Sequence, residues 1–351
     1  MGPGEEVKTR PEPNVESLEK GEIFFFYRPK VNKEEAQGPD DVQRIYIVLR
    51  PQSGKQPVEE KQASESGKEG RKKGRSIKEG SGKQPVEEKQ ASEPGKEGRK
   101  KGQSKEGGRN NDTVEGGRGT EEVDIEKQPL LRLIVMGKKR LPNPSERSRP
   151  FWGFVELVTT NVDDIKTALK GEEYDTATRG RRHRPPARAL AEGVYRILRH
   201  VPSGRQGRQE HTHLIYKLEL PPSGSEGEPQ ESFNVEREAS FLIQIKNPEV
   251  GRGDGSDIGG GFRGLQTKRK AAFPARLQGQ FGGKRFIPAD PPDFLNYEGC
   301  ELLLISASDD IEEELGLELK TECEADADCS DLLQMFGEAA ATKPLLSGTW
   351  V

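Results

Sequence analysis

His211 and His213 stand two residues apart in HTHLIYKLEL (211–220), where Leu214, Tyr216, Leu218 and Leu220 fall on every second position. A period of two is the mark of a strand, so both imidazoles project from one face and the apolar residues from the other. Two histidines on one strand face suit metal ligation. A complete site needs further donors, and His183, His200 and Cys300 are the residues that could supply them. The alternative is a hydrogen-bonded or solvated pair at a strand start.

A second chemistry is carried by arginine. Nine arginines fall between 179 and 208, with Glu192 the single acidic residue among them. Arg179, Arg181, Arg182, Arg184, Arg188, Arg196 and Arg199 form the candidate anion-binding set, followed by Arg205 and Arg208. Guanidinium groups bind phosphate and carboxylate in a planar, two-pronged way that ammonium groups do not. The pattern therefore points to RNA or another polyanion, with neighbouring aromatics as stacking surfaces. The competing use is internal pairing with the chain's own acids.

Other motifs carry less. Gly259–Gly264 fits the letters GxGxxG, but no strand directly precedes it, so the phosphate-cradle context is missing. Arg252-Gly253-Asp254 lies in the same glycine-rich stretch. Cys300, Cys323 and Cys329 match neither a disulfide framework nor a zinc spacing, and read as free thiols of a cytoplasmic or nuclear protein. The sequence offers no cofactor motif, no catalytic motif, no secretory signal and no apolar run long enough to span a membrane.

The last stretch has its own signal. Asp309–Asp331 holds eleven acids against Lys320, and Leu332, Leu333, Met335 and Phe336 follow. Acids beside a bulky apolar cluster suit a segment that folds on a protein partner through 309–336. Docking back onto the chain's own basic body is the rival.

Composition sets the frame for these residues. Of 351 residues, 33% are charged and only 30% hydrophobic, against roughly 45–50% apolar in ordinary globular chains. Burial on that scale cannot order the whole chain. The apolar poverty is concentrated in two 28-residue tandem repeats, 53–80 and 81–108, where nothing can be buried. The expected organisation is a disordered N-terminus (1–20), one domain built from 21–50 and 125–306, a disordered insert (51–124) and an acidic tail (307–351).

Strand-like segments make up that domain: IFFFY (23–27), RIYIVL (44–49), LLRLIVM (130–136), FWGFVELVT (151–159), GVYRILR (193–199), the 211–220 segment, 233–246 and CELLLIS (300–306). Asn161–Lys170 is a short helix with Asn161 as its cap. Strands do not alternate with helices, so the expected fold class is α+β and mainly antiparallel β: a sheet, sandwich or partly closed barrel with few short helices and long disordered segments.

Several stretches resemble a family of uncharacterised plant proteins with bacterial relatives: GEIFFFYRPKV (21–31), DDVQRIYIVLRP (40–51) and DPPDFLNYEGCELLLI (290–305) above all. Plant members sometimes carry a BTB/POZ-type label. The resemblance implies no assigned activity and transfers no catalytic residue. The leading expectation is a non-enzymatic binding or scaffold protein with an arginine-rich face. A metal protein or enzyme centred on His211 and His213 is one alternative, and an adaptor acting through the tail is the other.

Overall fold

The computed structural model describes residues 4–10, 14–52, 115–116, 123–124, 130–146, 149–201, 210–224, 227–250, 270–322 and 327–351. In chain order the strands are β1 (Glu5–Lys8), β2 (Val15–Pro29), β3 (Val42–Pro51), β4 (Glu115–Gly116), β5 (Val123–Asp124), β6 (Leu131–Met136), β7 (Phe151–Thr159), β8 (Glu172–Thr176) and β9 (Gly180–Arg184). They continue with β10 (Arg188–His200), β11 (His211–Leu220), β12 (Glu238–Lys246), β13 (Phe286–Pro288), β14 (Glu301–Ser308) and β15 (Leu317–Lys320). The helices are α1 (Val162–Leu169), α2 (Glu228–Ser232), α3 (Ala275–Gln278), α4 (Ile311–Leu315), α5 (Asp331–Phe336) and α6 (Lys343–Ser347).

Eight strands close into an antiparallel barrel in the order β11-β10-β2-β3-β6-β7-β14-β12, with β12 returning to pair with β11. Closure removes the exposed edges that an open sheet would leave. The short β13 adds beside the far end of β12, and β8–β9 is a separate hairpin.

The apolar run of β2 follows from burial on both sides. Ile23, Phe25 and Tyr27 point into the barrel with Ile45, Ile47 and Leu49 of β3, and Tyr216 and Phe241 fill the interior beside them. Eight strands leave an interior just wide enough for side chains to fill. Phe24 and Phe26 point outward and are covered by α1, α5 and α6. Plain alternation along β6 sets Leu131 and Leu133 outward and Ile134 and Met136 inward, and the register shift beside them falls on β7, between Leu157 and Val155. Asn161 caps α1 as its sequence indicates, accepting from the Asp163 amide at 3.1 Å.

The N-terminus, expected to be disordered, and the acidic tail, expected to fold on a partner or on the body, both contribute elements to the structure. Val15–Lys20 is the first part of β2, and Glu5–Lys8 pairs with β15. The acidic stretch after Ser308 forms α4, β15, α5 and α6, all packed on the barrel's outer wall. The reason is the apolar surface there: Val194, Leu198 and Ile215 meet Ile311, Leu315, Leu317 and Leu319 in one buried cluster. Apart from Pro51, Gln52 and the small β4 and β5, the insert and its two repeats lie outside the described residues. Among the described residues, no helix is long and apolar enough to cross a membrane.

Candidate metal centre on the barrel wall

β10 and β11 are joined across 201–210 and pair with His200 directly opposite His211. Leu198 lies opposite His213, so all three histidines share the outer face of one two-stranded ladder. The ring centroids stand 4.8 Å (200–211), 4.9 Å (211–213) and 5.4 Å (200–213) apart. One nitrogen from each ring falls within 4.8 Å of the others. His200 Nδ1 and His211 Nε2 are 3.1 Å apart. Tetrahedral coordination with metal–nitrogen bonds of about 2.0–2.1 Å places ligand nitrogens roughly 3.3 Å apart, a spacing that the His200–His211 pair has and that the third ring approaches within 4.8 Å. Other combinations of His, Cys, Asp and Glu do not meet the same test among the described residues.

His213 is 1% exposed, because α4 lies over the end of β11. Burial, together with the neighbouring His211 and His200, pushes its imidazole down to about 3. Burial and then His211 also lower His200. His213 is therefore an uncharged ring at neutral pH, the form that ligates metals. Its Nδ1 lies 2.9 Å from Ser240 Oγ on β12 and 3.8 Å from Glu314 Oε1 on α4. Its Nε2 is buried and has no hydrogen-bond partner among the described residues. Glu314 is raised by burial and pulled back by the Ser240 hydroxyl. His211 also borders a cleft of about 470 Å³ between the start of β11 and β13, lined among others by Glu210, Gln244, Lys284 and Phe286.

Of the donors named from sequence, His200 joins the pair and the other two do not. His183 lies on β9, 3.4 Å from Glu34. Cys300 is fully buried in the core, where burial raises its thiol. Cys329 is half-buried, and Cys323 lies outside the described residues.

The seven candidate arginines do not gather on one surface. Arg188 and Arg196 are buried. Arg188 donates to the carbonyls of Pro186 (3.0 Å) and Glu34 (2.7 Å). Arg196 donates to those of Gly4 (2.8 Å) and Tyr195 (2.9 Å) and faces Glu6 at 3.3 Å. Arg199 is clamped between Asp290 and Glu16, each at 2.5 Å, and these hydrogen bonds raise it further. On the β8–β9 hairpin, cross-strand pairing sets acids against bases: Arg184 meets Glu172 at 2.7 Å and Arg181 meets Glu173. Arg179 is exposed at the hairpin end and Arg182 is half-buried. Arg205, Arg208 and the glycine-rich stretch 251–264 lie outside the described residues.

The apolar residues read as a partner-binding tail are docked internally. Leu332 and Phe336 are fully buried, and Leu333 and Met335 pack partly buried beside them. The Phe336 ring meets Phe24 at 5.7 Å and Phe26 at 5.8 Å, edge to face. Such edge-to-face pairs add to the gain from area burial alone. The outward aromatics of β2 need a cover, and a segment of the same chain supplies it without the entropy cost of capturing a second molecule.

Sequence reasoning did not find Ser240 or Glu314. Neither stands in a motif, and they reach the histidines only through barrel closure and the packing of α4. His200 had a readable signal: two strand segments ending and beginning on histidine flank Pro202-Ser203-Gly204, as the arms of a hairpin would. No family model matches the chain, and no curated protein or solved structure matches it either.

Proposed function

We propose that the protein is a metal-binding protein, with a site for a divalent first-row transition ion formed by His200, His211 and His213. The observation that carries this reading is the buried Nε2 of His213, partnerless among the described residues, beside two further imidazoles. A buried imidazole nitrogen without a partner costs free energy, and a metal bond would offset it. Three imidazoles and no thiolate or carboxylate in the inner set suit Zn²⁺, Co²⁺, Ni²⁺ or Cu²⁺ over Mg²⁺ or Ca²⁺. Three protein ligands also leave a coordination position for water or an added ligand, the arrangement of reactive rather than structural zinc sites. The cleft beside His211 gives such a ligand a route in.

The test is titration of the purified full chain with Zn²⁺ and with Co²⁺ after chelator treatment, alongside elemental analysis. Wild type is expected to bind one equivalent, with a cobalt spectrum of nitrogen ligation. A His211→Ala/His213→Ala variant should lose the site. Wild type that takes up neither ion, or a double variant that binds as well as wild type, overturns the reading.

A further inference from the structure

The hydrogen-bond chain behind His213 decides which of its nitrogens is the ligand. Ser240 Oγ stands between His213 Nδ1 at 2.9 Å and the Glu314 carboxylate. The Ser240 hydroxyl favours the charged form of Glu314, which is the sense of a donated hydrogen bond, and a serine hydroxyl has a single proton to donate. Ser240 therefore spends that proton on Glu314 and offers a lone pair to His213. Only an Nδ1 that carries the ring proton can use that lone pair. The neutral ring then has its own lone pair on Nε2, the buried atom that meets no donor among the described residues.

We propose that Glu314, acting through Ser240, is the positioning residue of the histidine cluster: it holds His213 in the Nδ1–H tautomer and so presents Nε2 for coordination. The metal part of this inference rests on the site proposed above; the tautomer part does not. The arrangement is a carboxylate–histidine support with a hydroxyl inserted, and such outer partners are worth about 10–100-fold in metal affinity. It also gives the acidic segment a task. Glu314 sits on α4, in the stretch that sequence alone offers as a partner-binding tail. Ile311 and Leu315 of the same helix are buried against the barrel, which fixes the carboxylate over β12.

Two measurements on the full chain test this. Long-range ¹H–¹⁵N correlation of the metal-free protein reads the tautomer of each histidine. His213 is expected to carry its proton on Nδ1 in wild type, with Nε2–H appearing in Ser240→Ala. Glu314 is only half-buried, so Glu314→Gln is expected to fold and to shift the balance in the same direction. Zinc titration of the same variants is expected to show unchanged stoichiometry and affinity about 10–100-fold weaker. An Nε2–H signal for His213 in wild type overturns the proposal whatever the metal does. Variants that bind zinc as tightly as wild type overturn it while leaving the three-histidine site standing. Wild type that binds no metal but shows Nδ1–H, lost in Ser240→Ala, upholds the relay and rejects the metal site.

Discussion

His200, His211 and His213 occupy one end of the β10–β11 outer ladder, and Glu192 and Glu219 occupy the other. The two ends lie eight residues apart along β10, counted from Glu192 to His200. The segment after Ser308 serves both ends. Glu314 stands over His213, and the Glu322 amide donates to Glu219 Oε1 at 3.1 Å. Burial drives each end toward its uncharged form, in opposite senses. His213 falls to about 3, whereas Glu192 rises to about 7 despite the Ser330 hydroxyl and Leu332 amide that favour its charge. Glu22 rises to about 8, chiefly through burial and its hydrogen bond with Asp331, with Arg50 opposing. The difference lies in what remains unused. Glu192 accepts from the Ser330 hydroxyl and from the amides of Asp331 (2.9 Å) and Leu332 (3.1 Å), so it pins the start of α5. His213 Nε2 accepts from nothing among the described residues. Glu192 is completed by the protein's own donors, whereas His213 has a lone pair to give to a ligand.

The largest effect is expected at the Glu192 end. Glu192→Ala leaves the Ser330 hydroxyl and two backbone amides without their acceptor, and buried orphans of this kind cost about 1–3 kcal/mol each. A loss on the order of 3–5 kcal/mol is expected, partly relieved by water entry. At the histidine end, a His213→Leu/Ser240→Ala variant removes both partners of the His213–Ser240 hydrogen bond and one orphan nitrogen, and leaves the half-buried Glu314 carboxylate to exchange the Ser240 hydroxyl for water. In the metal-free chain it is expected to change stability by no more than about 1 kcal/mol. Urea unfolding in the presence of chelator measures both. Equal losses at the two ends would mean that His213 is as structural as Glu192.

The two ends should also govern opposite arms of the pH–stability profile. A histidine whose folded pKa is depressed binds fewer protons folded than unfolded. Stability is then lost as pH falls from about 6.5 toward about 3, the range set by His213. A carboxyl whose folded pKa is raised holds more protons folded. Stability is then full below about 4.5 and declines as pH rises, levelling above about 7 for Glu192 and about 8 for Glu22. The slopes oppose between about 4.5 and 6.5. Glu22→Gln is expected to flatten the alkaline arm alone, and His213→Leu/Ser240→Ala the acid arm alone. Thermal midpoints of the metal-free chain from mildly acidic to mildly alkaline pH read this directly. Both variants flattening the same arm would refute the division.

The mainly antiparallel fold was legible because β2, β3, β6 and β7 carry β-branched and aromatic runs too dense for any loop. Closure was not legible, because it depends on β12 reaching back to β11, a pairing that leaves no local mark. The shared face of His211 and His213 came from parity alone, whereas the third histidine needed the register of the hairpin. Which of its two uses the arginine run serves was not legible in the sequence, for a physical reason. Sequence proximity counts charges without their cross-strand partners, and the acids that meet Arg181 and Arg184 come from β8 through the hairpin turn. The acidic tail likewise left two readings open, a partner or the chain's own body, and Ile311, Leu315, Leu317, Leu319, Leu332 and Phe336 line the side of α4, β15 and α5 that is buried on the barrel.

The smallest expected effect tests whether burial, rather than charge itself, separates the two ends of the ladder. Arg181 and Glu173 on the β8–β9 hairpin form an ion pair with side chains 73% and 53% exposed. Water screens such a pair, and holding two long side chains together costs entropy, so exposed pairs contribute about 0–1 kcal/mol. Arg181→Ala is expected to lower stability by less than about 0.5 kcal/mol and to leave both pH arms where they are. Urea midpoints on the acid and the alkaline side of neutrality are sufficient to see it. If Arg181→Ala instead moved either arm as far as Glu22→Gln does, charge pairing far from the ladder would be setting the profile. The contrast between a lone pair kept free at His213 and an acceptor fully used at Glu192 would then lose its basis in desolvation.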